Sequence, residues 1–278
     1  FPYTTLFRSI DTVLQGFAGL CAARPQTRAH LHLLGGGTQA EALQAQVAQV
    51  PEGRHNHPAW WVRRLQRDWP EQAEAIMQAA QAHPPMTLRA HARHGGRPAL
   101  TPALEAAGLA WQTPAIAPSA TTNEVAPPGL PQAAALERAL PVDRIPGFSQ
   151  GHWSVQDAAA QLAAPLLLQG MRDVRNVQGR LPRVLDACAA PGGKTAHLLE
   201  AADVAMWALD TDAERLQRVA DTLRRLKLQA RTTAVDASDV SRWWDGEPFD
   251  AIMLDAPCSA SGIVPRHPDV RWLRRDTD

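Results

Sequence analysis

Leu185-Asp186-Ala187-Cys188-Ala189-Ala190-Pro191-Gly192-Gly193-Lys194-Thr195 is the stretch that decides the reading of this chain. It follows the short apolar run Arg183-Val184-Leu185 and opens a helical stretch through Ala196-His-Leu-Leu-Glu200. A strand running into a Gly-rich turn and then a helix N-terminus is a nucleotide-type cradle. Backbone comes close to a ligand where glycine has no Cβ, and free N–H groups at the helix start attract an anionic group. Two later segments match it, Trp207-Ala-Leu-Asp210 and Ile252-Met-Leu-Asp255-Ala-Pro-Cys258.

The loop ends Gly193-Lys194-Thr195, as a phosphate-binding P-loop does. That motif needs a glycine where this chain has Cys188. It also needs consecutive N–H groups around the phosphates, and Pro191 removes one. Ile252-Met-Leu-Asp255 could pose as the Mg²⁺-binding strand of such an enzyme, but Asp210 would then have no task. In a dinucleotide-like fold, an acid about 20 residues after the Gly turn grips ribose hydroxyls.

At 278 residues the chain can hold one large or two ordinary domains. Net charge is zero, so bulk electrostatics indicate no partner. Only two lysines occur, Lys194 and Lys227, and the other basic residues are arginine. Arginine clusters therefore carry less weight than usual, and a lysine kept in the Gly loop carries more. Three cysteines without paired spacing argue against a disulfide framework or a zinc site, and no metal is expected. A reducing cytoplasm is the expected compartment. The most apolar stretch, Leu162 to Leu168, is too short to span a bilayer and contains Pro165. The first residue is Phe, and Phe1 to Ser9 shows neither period nor capping logic, as at a fragment edge or a sequence artefact.

Three regions are expected. Residues 1–56 read as the end of a larger helical domain, with a helix over Thr38 to Val50. Residues 57–145 read as a small α+β RNA-binding and linker region. It holds helices through Trp60, Trp61, Leu65 and Trp69 and through Ile76 and Met77, a strand over Met86–Ala90, and a linker over Thr113–Pro131. From Arg54 to Arg97 there are seven arginines against three acids. That is either a solvated surface or a phosphate-contacting face interleaved with aromatics. Residues 146–278 read as the ligand-binding domain, entered through Ser154-Val-Gln156-Asp157 and an Ala/Leu-rich helix.

There the predicted strands are Val184–Ala187, Val204–Leu209, Arg231–Val235 and Ala251–Leu254. Leu216, Val219, Ala220, Leu223 and Leu226 make one face of the helix between the second and third. Alternating strands and helices predict an α/β fold with a Rossmann-like, doubly wound parallel sheet, its ligand at the carboxyl ends of the strands. Cys188, Asp210, Asp236 and Asp255 all fall at such ends. Each has a plainer alternative: Cys188 as core packing, Asp186 as a cap on the Gly turn, Asp236 as the start of a turn toward Ser238. Cys258 lies in a loop facing the predicted ligand, where a thiolate could attack pyrimidine C6 and make C5 nucleophilic toward a sulfonium methyl group. Asp255 could steady the base and Lys194 could lower the thiol pKa.

These residues resemble the bacterial small-subunit ribosomal RNA cytosine-C5 methyltransferase B family. The resemblance runs through Asp186–Thr195, Asp210, Asp236, Asp255-Ala-Pro-Cys-Ser-Ala-Ser-Gly262 and Arg266-His-Pro-Asp-Val-Arg-Trp272. Pro146-Gly-Phe with Val155-Gln-Asp157, and His57-Pro-Ala-Trp-Trp with Pro85-Met-Thr-Leu-Arg89, also fit. It implies S-adenosylmethionine as cofactor, with the methionine end on Cys188, Ala189, Ala190, Pro191, Gly192, Gly193 and Lys194, the ribose on Asp210 and the adenine on Asp236. Asp255 would lie near the reacting groups. The implied partner is small-subunit ribosomal RNA, met by Arg89, Gln156, Arg266, His267 and Arg271 of a monomer.

In that family the attacking thiol comes from a later Thr-Cys-Ser segment, and the Asp-Ala-Pro-Cys cysteine assists product release. Cys258 is then the helper, with Asp255 and Lys194 beside it. The chain ends at Asp278 before such a segment. The expectation is therefore an incomplete sheet and a fragment that does not turn over. The rival readings are a related enzyme acting on transfer RNA or another ribosomal cytosine, a catalytically silent RNA-binding module, and a P-loop NTPase.

Overall fold

A computed structural model describes residues 55–114, 129–171 and 179–277. The expected helix over Thr38 to Val50, with the rest of residues 1–54, lies outside them, as does most of the expected linker. The chain divides into two compact units, Phe1–Met77 and Gln78–Asp278.

In the first unit, α1 (Ala59–Asp68) and the start of α2 (Ala73–Ala79) follow Pro58, whose carbonyl accepts the N–H groups of Trp61 and Val62. The small core is Val62, Ala73 and Met77, with Leu65 packed against it. The tryptophans that mark this helix in the sequence do not form that core. Trp60 stacks on Trp61 with ring centroids 5.3 Å apart, and Trp69 closes the helix from an exposed position.

The second unit holds two four-stranded sheets. The first is built from β1 (Met86–Ala90), β2 (Trp111–Gln112), β3 (Ala133–Leu136) and β4 (Trp153–Val155), backed by α3 (Gly96–Ala106). Its order is β2-β3-β1-β4, antiparallel throughout, with Leu88 opposite both Ala134 and Val155. The strand at Met86–Ala90 was expected; the other three strands of its sheet were not. Its core contains Leu88, Leu100, Leu104, Ala134, Leu136 and Trp153. The indole N–H of Trp153 donates to the Pro146 carbonyl at 2.6 Å, so the Pro146-Gly-Phe turn is part of this core.

After α4 (Ala163–Gly170) come β5 (Arg183–Asp186), α5 (Gly193–Ala201), β6 (Ala205–Asp210), α6 (Ala213–Leu226), β7 (Arg231–Ala234), β8 (Ala251–Met253) and α7 (Val270–Leu273). The four strands are the predicted ones to within a residue or two, all parallel, in the order β7-β6-β5-β8. Among the described residues β8 forms an edge, with Ile252 and Leu254 exposed.

Helix α6 buries the predicted face through Leu216, Val219, Leu223 and Leu226. It starts where the Asp212 carboxylate accepts the N–H groups of Glu214 and Arg215. Helices α4, α5 and α6 cover one face of the sheet. On the other, Leu185, Trp207, Leu209 and Val235 are covered by Trp243 and Phe249, and a single turn at Val240–Arg242 stands where a crossover helix could lie. The chain progresses outward from β5 through β6 to β7, then returns to place β8 on the other side of β5. That reversal opens a crevice at the carboxyl ends of β5 and β8.

Candidate active site

The Gly loop leaves the end of β5 at this reversal. Asp186, the last residue of β5, is buried and accepts the Thr195 hydroxyl at 2.6 Å, which ties the strand end to the first turn of α5. Desolvation pushes its carboxyl above the usual range, although that bond opposes the shift. Ala189 donates to the Leu209 carbonyl at 2.8 Å and Ala190 to the Asp210 carboxylate at 3.1 Å, which lashes the loop to β6. The other Asp210 oxygen accepts the Asp212 N–H, also at 3.1 Å, and lies 3.6 Å from the Arg215 guanidinium. Arg215 reaches the Ala190 carbonyl as well. One buried carboxylate thus organises both the Gly loop and the entry to α6.

The two glycines have different reasons to be there. Gly192 sits at φ +98°, and a Cβ on it would lie 3.1 Å from the Val219 Cα, so conformation and packing against α6 both exclude a side chain. A Cβ on Gly193 would meet only the Gln156 Nε2, at an ordinary 3.8 Å. Nothing among the described residues demands a glycine at Gly193. The space beside its backbone is open.

Across the crevice, Lys194 Nζ donates to Asp255 Oδ2 at 2.5 Å. This pair joins the start of α5 to the loop after β8 over the point where strand order reverses. Asp255 is exposed, and so is Asp236, which accepts both the N–H and the hydroxyl of Ser238. Those bonds hold the Asp236 carboxyl below its usual range. The turn toward Ser238, the plainer reading of Asp236, is therefore present.

The two described thiols differ. Cys188 is half-buried, and desolvation, helped by the Asp210, Asp186 and Asp255 carboxylates, pushes its pKa up. That suits packing and not a nucleophile. Cys258 is exposed, and its sulfur accepts the Ala260 N–H at 3.3 Å, a turn made by Ala260 at φ +59°.

The residues expected to meet RNA separate by burial. Arg89 is fully buried, its guanidinium divided among Glu200, Gln156 and the Gly193 carbonyl. Gln156 and Arg271 are also buried, and Arg271 donates to the Ala80 carbonyl. None of the three side chains faces solvent, so the structure corrects their assignment as RNA contacts. Arg93 and Arg97 likewise spend donors on protein acceptors. Arg266 and His267 are exposed as expected, with Arg266 paired to Asp157 at 2.7 Å. Thr195, Glu200 and Arg215 were not foreseen as parts of the site. Thr195 was read only as the end of the Gly loop, and Arg215 left a trace as a cation one helical turn after the capping Asp212.

Among the described residues no cluster of three or more His, Cys, Asp or Glu side chains could hold a metal ion. None of their helices is long and apolar enough to cross a membrane. Residues 178–278 match the family model described as 16S rRNA methyltransferase RsmB/F. Residues 57–128 match the ferredoxin-like domain of RsmF/B-like methyltransferases. The chain is 47% identical over 223 residues to ribosomal RNA small subunit methyltransferase B of Xylella fastidiosa, covering 80% of this chain and 46% of that protein. It is 45% identical over 242 residues to the Pseudomonas putida protein of the same name, covering 86% and 50%. The chain thus spans about half the length of the curated relatives it matches. A methyltransferase homologue from Pyrococcus horikoshii shares the fold at a TM-score of 0.60 and 23% identity, over 80% of this chain and 65% of that one. The Gly loop, the acids at the strand ends and the Pro-Cys loop lie inside the first of these matched regions, and the chain belongs to the 16S rRNA methyltransferase RsmB/F family.

Proposed function

We propose that the chain is part of an enzyme that methylates C5 of a cytosine in small-subunit ribosomal RNA, using S-adenosylmethionine. The observation that carries the reading is the Lys194–Asp255 pair bridging the reversal point, with the Gly loop on one side and the Pro-Cys loop on the other. When bound, S-adenosylmethionine supplies an electrophilic methyl group on a sulfonium centre. The loop from Cys188 to Lys194 lies against its methionine end, with the N–H groups of the first turn of α5 and the positive end of that helix turned toward it. Asp210 accepts the ribose hydroxyls, since two backbone N–H groups leave its carboxylate with lone pairs to spare. Asp236 lies on the adenine side. Asp255 orients the target base and keeps the Lys194 charge at the mouth of the crevice.

Cys258 assists release of the methylated base, and the attack at C6 belongs to a different cysteine. The exposed Cys258 thiol is open to a base entering from the side of Asp255. Arg266 and His267 supply RNA-facing charge. In this reading residues 1–56 belong to a helical RNA-binding domain, 57–145 to a small RNA-binding and linker region, and 146–278 to the catalytic domain. The work is cytoplasmic, where ribosomal RNA is modified.

Isothermal titration of the chain with S-adenosylmethionine, and separately with ATP and Mg²⁺, tests the cradle. Saturable binding of the first is expected; binding of the second alone assigns the loop to nucleotide hydrolysis. The role of Cys258 is tested with a 5-fluorocytosine RNA. In a longer chain that carries the Thr-Cys-Ser segment, Cys258→Ser should keep or accumulate the covalent adduct, whereas loss of the adduct assigns the attack to Cys258.

A further inference from the structure

We infer that Arg89 is a positioning residue of the cofactor cradle, one guanidinium that grips the first and last turns of α5 and so fixes where the Gly192–Gly193 backbone stands. The inference rests on the reading of that loop as the S-adenosylmethionine site. Arg89 comes from β1 of the antiparallel sheet, more than a hundred residues before the loop in sequence. Its Nε and Nη2 donate to the two Glu200 oxygens at 3.0 and 2.7 Å, a two-pronged grip on the last turn of α5. Its Nη1 donates to the Gly193 carbonyl at 2.9 Å, at the first residue of the same helix. Gln156, just past β4, accepts from the same Nη1 and supplies the atom nearest to the space above Gly193. Gly193, His197 and Glu200 share one helix face, and His197 on it is buried with no hydrogen bond to Nδ1 among the described residues.

An ion pair whose only task was to hold the antiparallel sheet against α5 would stop at Glu200. The third donor reaches the residue whose backbone the cofactor has to approach. The antiparallel sheet therefore sets the register of the loop that binds the methyl donor.

The test is calorimetric titration of S-adenosylmethionine into the full chain, with thermal unfolding of each protein measured alongside. Arg89→Lys keeps the buried charge opposite Glu200, but a single ammonium cannot serve the carboxylate fork and the Gly193 carbonyl together. It should fold and bind about tenfold more weakly, the effect of one lost charge-assisted hydrogen bond. Arg89→Met combined with Glu200→Met removes the ion pair without stranding a charge, so its unfolding temperature should return toward that of the parent chain. Its affinity should stay low, because the grip on Gly193 is still missing. If either folded variant binds as tightly as the parent, Arg89 is a structural residue and the inference falls. If the parent chain itself does not bind, the reading of the cradle falls first, and the inference with it.

Discussion

The ends of β5 and β6 and the ends of β7 and β8 place an acid at the same point of the same sheet, with opposite results. Asp186 and Asp210 are buried, and each is engaged by the chain around it, by the Thr195 hydroxyl in one case and by two backbone N–H groups in the other. Asp236 and Asp255 are exposed; one closes a local turn on Ser238 and the other pairs with Lys194. Strand-end register alone therefore does not identify a ligand contact. The inner pair first builds the cradle, and only its remaining lone pairs are available to a ligand. The outer pair has little structural duty and is free to meet one.

The sharpest way to break this contrast is Asp210→Ala. It strands the N–H groups of Ala190 and Asp212 beside a buried strand end, and should cost roughly 2–4 kcal/mol in denaturant unfolding as well as abolishing cofactor binding. A variant as stable as the parent would place Asp210 with the outer acids.

The buried side should also show in acid. Burial, with the Arg89 charge nearby, holds the His197 pKa down to about 3, whereas the unfolded chain takes up the proton near 6.5. Above 6.5 both states are neutral there and nothing changes. Below it only the unfolded state gains the proton, so stability should fall toward about 1.4 kcal/mol per pH unit as the pH drops. Chemical denaturation from pH 7 to 5 checks this, and His197→Gln should flatten that part of the profile.

Gly192→Ala should lose about 1–2 kcal/mol, from a positive φ and from contact with the Val219 backbone. An unshifted denaturation midpoint would show that the loop can move away from α6. The smallest effect is expected from Asp255→Ala, which removes an exposed ion pair and should change stability by under about 1 kcal/mol. Any sizeable effect should appear in binding or methyl transfer. A large loss of stability would erase the distinction between the two pairs of strand ends.

The parallel sheet was readable because each of its parts carries a local signal. Val184 and Leu185 lead into the Gly turn, Leu216 to Leu226 repeat at helical spacing, and Asp212 caps the helix they form. The antiparallel sheet was readable only at Met86–Ala90. Its central partner, Ala133 to Leu136, is almost all alanine, a residue that favours helices. It becomes a strand because β1 and β2 pair with it on both sides and all four residues are buried. The arginines misled for a related reason. A guanidinium on a charge-rich segment reads as solvent-facing, and nothing near Arg89 in sequence announces Glu200.

By itself, then, the sequence determined the Gly turn, the parallel strands' places along the chain and the acids at their ends, because those depend on residues close together along the chain. Tertiary structure alone decided which acids are buried, that Lys194 meets Asp255, and that Arg89 grips α5 instead of facing RNA. Burial and long-range pairing depend on which distant segments share a neighbourhood, and in a low-dielectric interior a charge is held only where a partner from elsewhere in the chain meets it.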